Sequence, residues 1–233
     1  MVTTEVFKGK VHESWLPIFE SKVGESYIST LRKIITNYPT KDNQGFNSTK
    51  NGFRILPKVQ DILHPFRCVD LNNVKVVIIL PEPMENVNVT GIPLQLSEGP
   101  RLRTTLLNII EASYQIYKFD PFNTFDVSSW MKQGVLLINA CMTREIIDPN
   151  NHIGYWKEFS SMLINSIYEH NKDCLFVSIG EPILDLPKEA NIMTTPNGVC
   201  TERDEILLFQ KYNLFEMIDY ELKKHNESIS IDW

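Results

Sequence analysis

Apolar residues along this chain fall into two patterns. Short, mainly apolar runs occupy 74–80, 135–138 and 175–180, with a fainter one at 190–194. A run of four to seven apolar residues bounded by polar or turn residues reads as a strand buried on both faces. Longer blocks carry apolar residues at helical spacing: 11–36, 104–117, 155–170 and 202–224. In the first, Trp15, Phe19, Leu31 and Ile35 are apolar and Ser14 is a candidate N-cap. Residues 41–51 are polar and Asn-rich and predict an exposed loop, 57–66 is apolar and punctuated by proline, and 81–91 and 119–129 predict loops. Strands alternating with helices predict an α/β protein: a three-layer α/β/α arrangement around a central four-stranded parallel sheet.

In such a sheet ligands bind beyond the carboxyl ends of the strands. Asn139 ends the run 135–138 and is therefore delivered to that edge, where an amide can both donate to and accept from a ligand. Capping of the next turn is its alternative role.

Composition narrows the class. The 233 residues are 42% hydrophobic and 22% charged, which fits one domain over 1–233 with a full core. No apolar run is long enough to span a bilayer, and the opening Met1-Val-Thr-Thr-Glu-Val lacks the pattern of a signal peptide. No membrane association and an intracellular location, cytoplasm or nucleus, are the expectations. Cys68, Cys141, Cys174 and Cys200 are widely spaced and fit free thiols rather than disulfides, and the His and Cys spacing fits no zinc site. The net charge of −6 argues against tight DNA binding as the main task and favours a protein partner or weak DNA contact.

Residues 130–139, Trp-Met-Lys-Gln-Gly-Val-Leu-Leu-Ile-Asn, closely resemble the Trp-x-Lys-Gly/Gln-Gly-Val-Leu-Leu-x-Asn segment of the family 1 uracil-DNA glycosylases. Further segments match in the same order: His12-Glu-Ser-Trp-Leu-Pro-Ile-Phe, Ile55-Leu-Pro, Val74-Lys-Val-Val-Ile, Gly154-Tyr-Trp-Lys-Glu-Phe, Leu175-Phe-Val-Ser-Ile-Gly and the closing Ile231-Asp-Trp. The resemblance covers the chain almost end to end. It implies a pocket in which Asn139 hydrogen-bonds the edge of a flipped uracil, and chemistry that needs no metal or organic cofactor.

The catalytic loops depart from that pattern. Where the family reads Gly-Gln-Asp-Pro-Tyr-His, this chain reads Leu80-Pro-Glu-Pro-Met-Glu. Glu82 stands for the Asp that stabilises the developing sugar cation and positions water, and is the candidate catalytic carboxylate. Its longer side chain shifts the oxygens, and misplacement by ~1 Å can cost ~10²-fold in rate. The alternative for Glu82 is a solvated loop carboxylate. Pro81 replaces Gln and brings no N–H to the loop. Met84 replaces the Tyr that excludes thymine, or simply fills an apolar gap. Leu94 aligns with the stacking Phe. The second loop, His-Pro-Ser-Pro-Leu-Ser in the family, reads Thr195-Pro-Asn-Gly-Val-Cys here. Thr195 replaces the His that stabilises the leaving base, a loss that typically costs ~10²–10³-fold. Pro196, Asn197, Gly198 and Val199 form the candidate DNA-contacting loop, with Val199 in place of the wedging Leu. His152 aligns with a family His and is expected to be structural.

Three functions follow from this mixture. One is a degenerate glycosylase-fold protein with little or no activity, serving as a DNA-associated or protein-interaction subunit in replication or repair. Another is an active divergent DNA N-glycosylase that uses Glu82 on uracil or a 5-substituted pyrimidine. The third is a reader of uracil in DNA that does not cleave. The partners expected are DNA, uracil-containing or single-stranded, and a protein.

Overall fold

The block 11–36 is not one helix. In the computed structural model, which describes residues 4–95, 97, 127–146, 152–196, 211–225 and 229–233, a 3₁₀ turn over Glu13–Trp15 leads into α1 (Leu16–Phe19). The chain then breaks at Glu20-Ser21, and α2 (Lys22–Ile35) starts with the Ser21 hydroxyl accepting from the Val23 amide at 3.2 Å. Ser21, not Ser14, therefore caps the long helix. The Ser14 hydroxyl instead accepts from the Leu71 amide at 2.9 Å. Val23, Tyr27, Thr30 and Ile34 recur every three to four residues and are the buried face of α2.

The polar stretch 41–51 is partly ordered as a small antiparallel hairpin, β1 (Thr40–Lys41) with β2 (Asn47–Ser48), and both β2 residues are buried. Next come β3 (Ile55–Leu56), a cis Leu56–Pro57 bond, and α3 (His64–Cys68). β4 (Val76–Leu80) is buried at every position. After it, α4 (Ser128–Lys132) precedes β5 (Val135–Asn139), β6 (Arg144–Glu145), α5 (Ile153–His170), β7 (Leu175–Ser178), β8 (Asn191–Thr194) and α6 (Leu214–His225). The predicted helix 104–117, and 202–210 of the predicted helix 202–224, lie outside the described residues.

The main sheet has the order β5-β4-β7-β8, and every neighbouring pair is parallel. This is the expected three-layer α/β/α class with four parallel strands. β4, β5 and β7 are buried at every position and nearly all apolar because both faces are covered, whereas the edge strand β8 is polar at Asn191 and Thr194 and buried only at Met193. One helical layer packs through aromatic rings of α1, α2 and α5: Tyr27 lies 5.8 Å from Trp156 and 5.5 Å from Phe159 between centroids. A second cluster joins α4, α6 and the C-terminal segment, where Trp130, Phe215 and Trp233 meet at 4.7–5.4 Å.

A buried polar chain ties β6 to α5. Trp156 Nε1 donates to Thr143 Oγ1 at 2.7 Å, and Thr143 Oγ1 meets His152 Nδ1 at 3.0 Å. His152 Nε2 meets Tyr38 Oη at 3.0 Å, and that hydroxyl donates to Glu145 at 2.5 Å. His152 thus has the structural place expected of it. Thr143→Val leaves the shape and removes the shared oxygen. Stripping a partner from buried donors costs roughly 1–3 kcal/mol, or a fall in Tm of roughly 2–4 °C per kcal/mol at this size. A melting curve superimposable on that of the wild type would show the chain to be energetically idle.

Candidate base-binding site

The register of the sheet assembles the site. Leu80 pairs with Asn139, Ile79 with Ser178, and Ser178 with Thr194. All four strands therefore finish near one edge, and the loops starting at Pro81 and Thr195 leave from it. The ladder continues one step beyond the strands: the Ala140 amide donates to Leu80 O at 2.7 Å and the Cys141 amide to Pro81 O at 2.9 Å. Pro81 is thus clamped through its carbonyl, and it offers no N–H toward a ligand. Burial and the low-dielectric surroundings push the Cys141 thiol up to about 12, so it is no nucleophile.

Asn139 is buried, 8% exposed, and its Oδ1 has no hydrogen-bond partner among the described residues. Capping of the next turn would have engaged that oxygen. A buried amide oxygen without a partner costs roughly 1–3 kcal/mol, which is tolerable where a ligand or water supplies the donor. Asn139 lines a small cleft with Met84, Pro57, Pro83, Val89, Gly91 and Ile92. The open space is about 10 Å³, about the room one water needs. In this conformation the cleft admits no pyrimidine base, and half-buried Met84 is part of what fills it.

The other candidate residues are placed differently. Leu94 is 2% exposed with φ +68 and packs into the core rather than lining the cleft. Val89 and Ile92, with Met84 and the two prolines, are the apolar lining of the cleft that holds Asn139. Thr195 is buried, 4% exposed. Its hydroxyl donates to Pro196 O at 2.8 Å and accepts from the Gly180 amide at 3.3 Å, so its one proton is committed locally. Pro196 is half-buried. Asn197, Gly198 and Val199 lie outside the described residues.

Glu82 is not simply a solvated loop carboxylate. Arg144 Nη1 donates to Glu82 Oε1 at 3.3 Å and to Pro83 O at 3.2 Å, while Nη2 lies 3.7 Å from Glu85 Oε2. The Arg144 side chain is 9% exposed, against 21% for Glu82 and 35% for Glu85. Sequence reasoning missed Arg144. Its only signal was a charged pair, Arg144-Glu145, five residues beyond the strand-end Asn139. Among the described residues no group of three His, Cys, Asp or Glu side chains is gathered to hold a metal, and no helix is long and apolar enough to cross a membrane.

Known proteins resemble this chain in sequence and in fold. A uracil-DNA glycosylase from Borreliella burgdorferi is 27% identical over 231 residues, covering 95% of this chain and 98% of that protein. The chain is uracil-DNA glycosylase-like. A uracil-DNA glycosylase from Helicobacter hepaticus is 25% identical over 240 residues, covering 96% of each. The crystal structure of mimivirus uracil-DNA glycosylase superposes with a TM-score of 0.75 at 18% identity, covering 100% of this chain and 89% of that one. No protein-family model matches the chain. Within this glycosylase-like frame the carboxylate and the amide stand on adjacent strand ends, but the carboxylate faces a buried guanidinium.

Proposed function

We propose that this chain is a glycosylase-fold protein associated with DNA, with little or no cleavage activity, working inside the cell as a binding or protein-interaction subunit in repair or replication. The Arg144–Glu82 contact carries the reading. Cleavage of an N-glycosidic bond builds positive charge on the sugar and negative charge on the departing base. A carboxylate already offset by a guanidinium in a low-dielectric cleft does little for a second cation. The remaining chemistry points the same way. Thr195 spends its proton on Pro196 O, Pro81 supplies no amide, and the cleft beside Asn139 is nearly full.

A second reading, an active divergent N-glycosylase, is favoured by the relatives being uracil-DNA glycosylases and by the position of Glu82 two residues past the Leu80–Asn139 pair. A third, a reader that holds uracil without cleaving it, is favoured by the partnerless Oδ1 of Asn139.

One experiment separates them: single-turnover reactions at high protein concentration on single-stranded and duplex DNA carrying uracil, 5-hydroxymethyluracil or thymine, with Glu82→Ala as control. The expected result is no abasic product above that of Glu82→Ala. Product that disappears in Glu82→Ala overturns the proposal and makes the chain a glycosylase. With no product, tighter binding of uracil-bearing than of normal DNA, lost in Asn139→Ala, assigns the reader role.

A further inference from the structure

A second concavity lies between α2, the β1–β2 hairpin, the N-terminal segment and residues 59–67, with a volume of about 660 Å³. This is the range of ligand-sized sites and far exceeds the cleft beside Asn139. Its charge is anomalous. The chain carries 29 acidic and 23 basic residues, yet the charged residues lining this groove are Lys10, Arg32, Lys41 and Arg67, with no acid among them. All four are exposed, and none forms an ion pair among the described residues. The groove is also apolar: Ile28, Leu31 and Ile35 line it from α2, and Val59 and Leu63 from the facing segment. Ile28, Leu31 and Ile35 are half-buried. Their spacing of three and four residues sets them along one stripe of α2, roughly 10 Å long at 1.5 Å per residue.

We infer that this groove docks an acidic amphipathic segment of a partner protein, with apolar side chains seated on the α2 stripe and carboxylates facing Lys10, Arg32, Lys41 and Arg67. An apolar stripe at helical spacing under a one-sign rim suits helix-in-groove recognition. The rim charges steer and select, while the apolar anchors supply the affinity. A nucleic-acid backbone would use the four cations but leave the apolar floor without a partner, so the groove fits a peptide better than a phosphate chain. The inference gives chemistry to the protein-interaction part of the proposed function. It does not depend on lost cleavage, because peptide binding is read with no DNA present.

The test is a displayed library of random 16-residue peptides selected on the immobilised full chain. The enriched peptides are then synthesised and measured by fluorescence anisotropy. Enrichment of Asp and Glu around apolar residues at spacings of three and four is expected. Lys10→Glu/Arg32→Glu should bind such peptides at least 10-fold more weakly. Lys188→Glu/Lys223→Glu, the same charge change at exposed positions outside the groove, should change binding less than 2-fold. Thermal melts check that both variants fold. Failure to enrich a family, enrichment of acid-poor peptides, or equal losses in both variants would overturn the inference. A loss of 20-base-pair duplex affinity confined to the groove variant would make this a nucleic-acid face. Self-association in sedimentation that the groove variant abolishes would make it an interface between two copies. Either outcome also overturns it, and none bears on whether Glu82 cleaves DNA.

Discussion

Arg144→Met is expected to lower Tm by roughly 6–12 °C. Removing one member of a fully buried ion pair costs about 3–5 kcal/mol, because the partner charge stays in a poor dielectric. Here Arg144 is the buried member, 9% exposed, while Glu82 and Glu85 keep some contact with solvent, so the lower end, about 3 kcal/mol, applies. At roughly 2–4 °C per kcal/mol for a chain of this size, that gives the stated fall. Methionine preserves much of the volume, so a cavity is a minor contribution. The triple variant Arg144→Met/Glu82→Gln/Glu85→Gln removes both carboxylates with the cation and is expected to recover most of the loss. Arg144→Lys keeps a charge but cannot reach Glu82, Glu85 and Pro83 O with a planar fork, and should fall between. An Arg144→Met protein melting within 1–2 °C of the wild type would show that the pair contributes nothing to the loop. The same variant informs the chemistry. Product from uracil DNA in Arg144→Met, absent in the wild type, would place the block at this guanidinium alone. Background product in both is the expectation, since the Thr195 hydroxyl remains bonded to Pro196 O.

Gly134→Ala is expected to be as damaging, through the backbone rather than through charge. Gly134 has φ +96, and a Cβ built on it would lie 2.0 Å from Asn73 O. A left-handed conformation costs a non-glycine residue roughly 1–2 kcal/mol. The clash cannot be relieved by rotating a side chain, because the atom met is a carbonyl oxygen. Nor can the two segments part freely, since Gly134 O accepts from the Lys75 and Val76 amides at 2.9 and 3.3 Å. These bonds lie just where β4 and β5 begin to pair. A loss of more than roughly 3 kcal/mol, or failure to fold, is the expected result. Gly154→Ala is the control. It sits in α5 with nothing within 4 Å of an added Cβ, and should be neutral or stabilise by up to about 1 kcal/mol. Equal melting temperatures for the two variants would refute the steric account.

The sheet could be read from sequence for a plain reason. Strands covered on both faces are apolar along their length, and Val76–Leu80, 135–138 and 175–177 show this as unbroken runs. The break between α1 and α2 was harder to see, because apolar spacing continues through it while Pro17 and the Ser21 cap mark a new start. The β1–β2 hairpin was invisible: two-residue strands of Thr, Lys, Asn and Ser carry no hydrophobic pattern. In the cleft, the place of Asn139 was legible because a strand end is fixed by topology, and that of Met84 because the loop after β4 could be matched to a known pattern. Arg144 was not, because its partner Glu82 is 62 positions away in sequence and only the fold brings them together. Leu94 was misplaced for a related reason. Loop alignment can equate it with a ring that touches a base, but the backbone at φ +68 turns it into the core.

The pairing of Leu80 with Asn139 divides the chain into two kinds of positions under different pressures. The strand residues leading to that rung are held by burial. Beyond it the two segments differ: Ala140 to Arg144 stay buried, while Pro81, Glu82, Met84 and Glu85 are only partly buried, so tolerance to substitution is confined to the loop after β4. Residues of that loop can therefore be exchanged one at a time with the sheet left intact. Arg144, rooted just beyond β5 but reaching back to Glu82, is where the two regimes meet. Any carboxylate placed at position 82 while Arg144 remains would share its site with a cation.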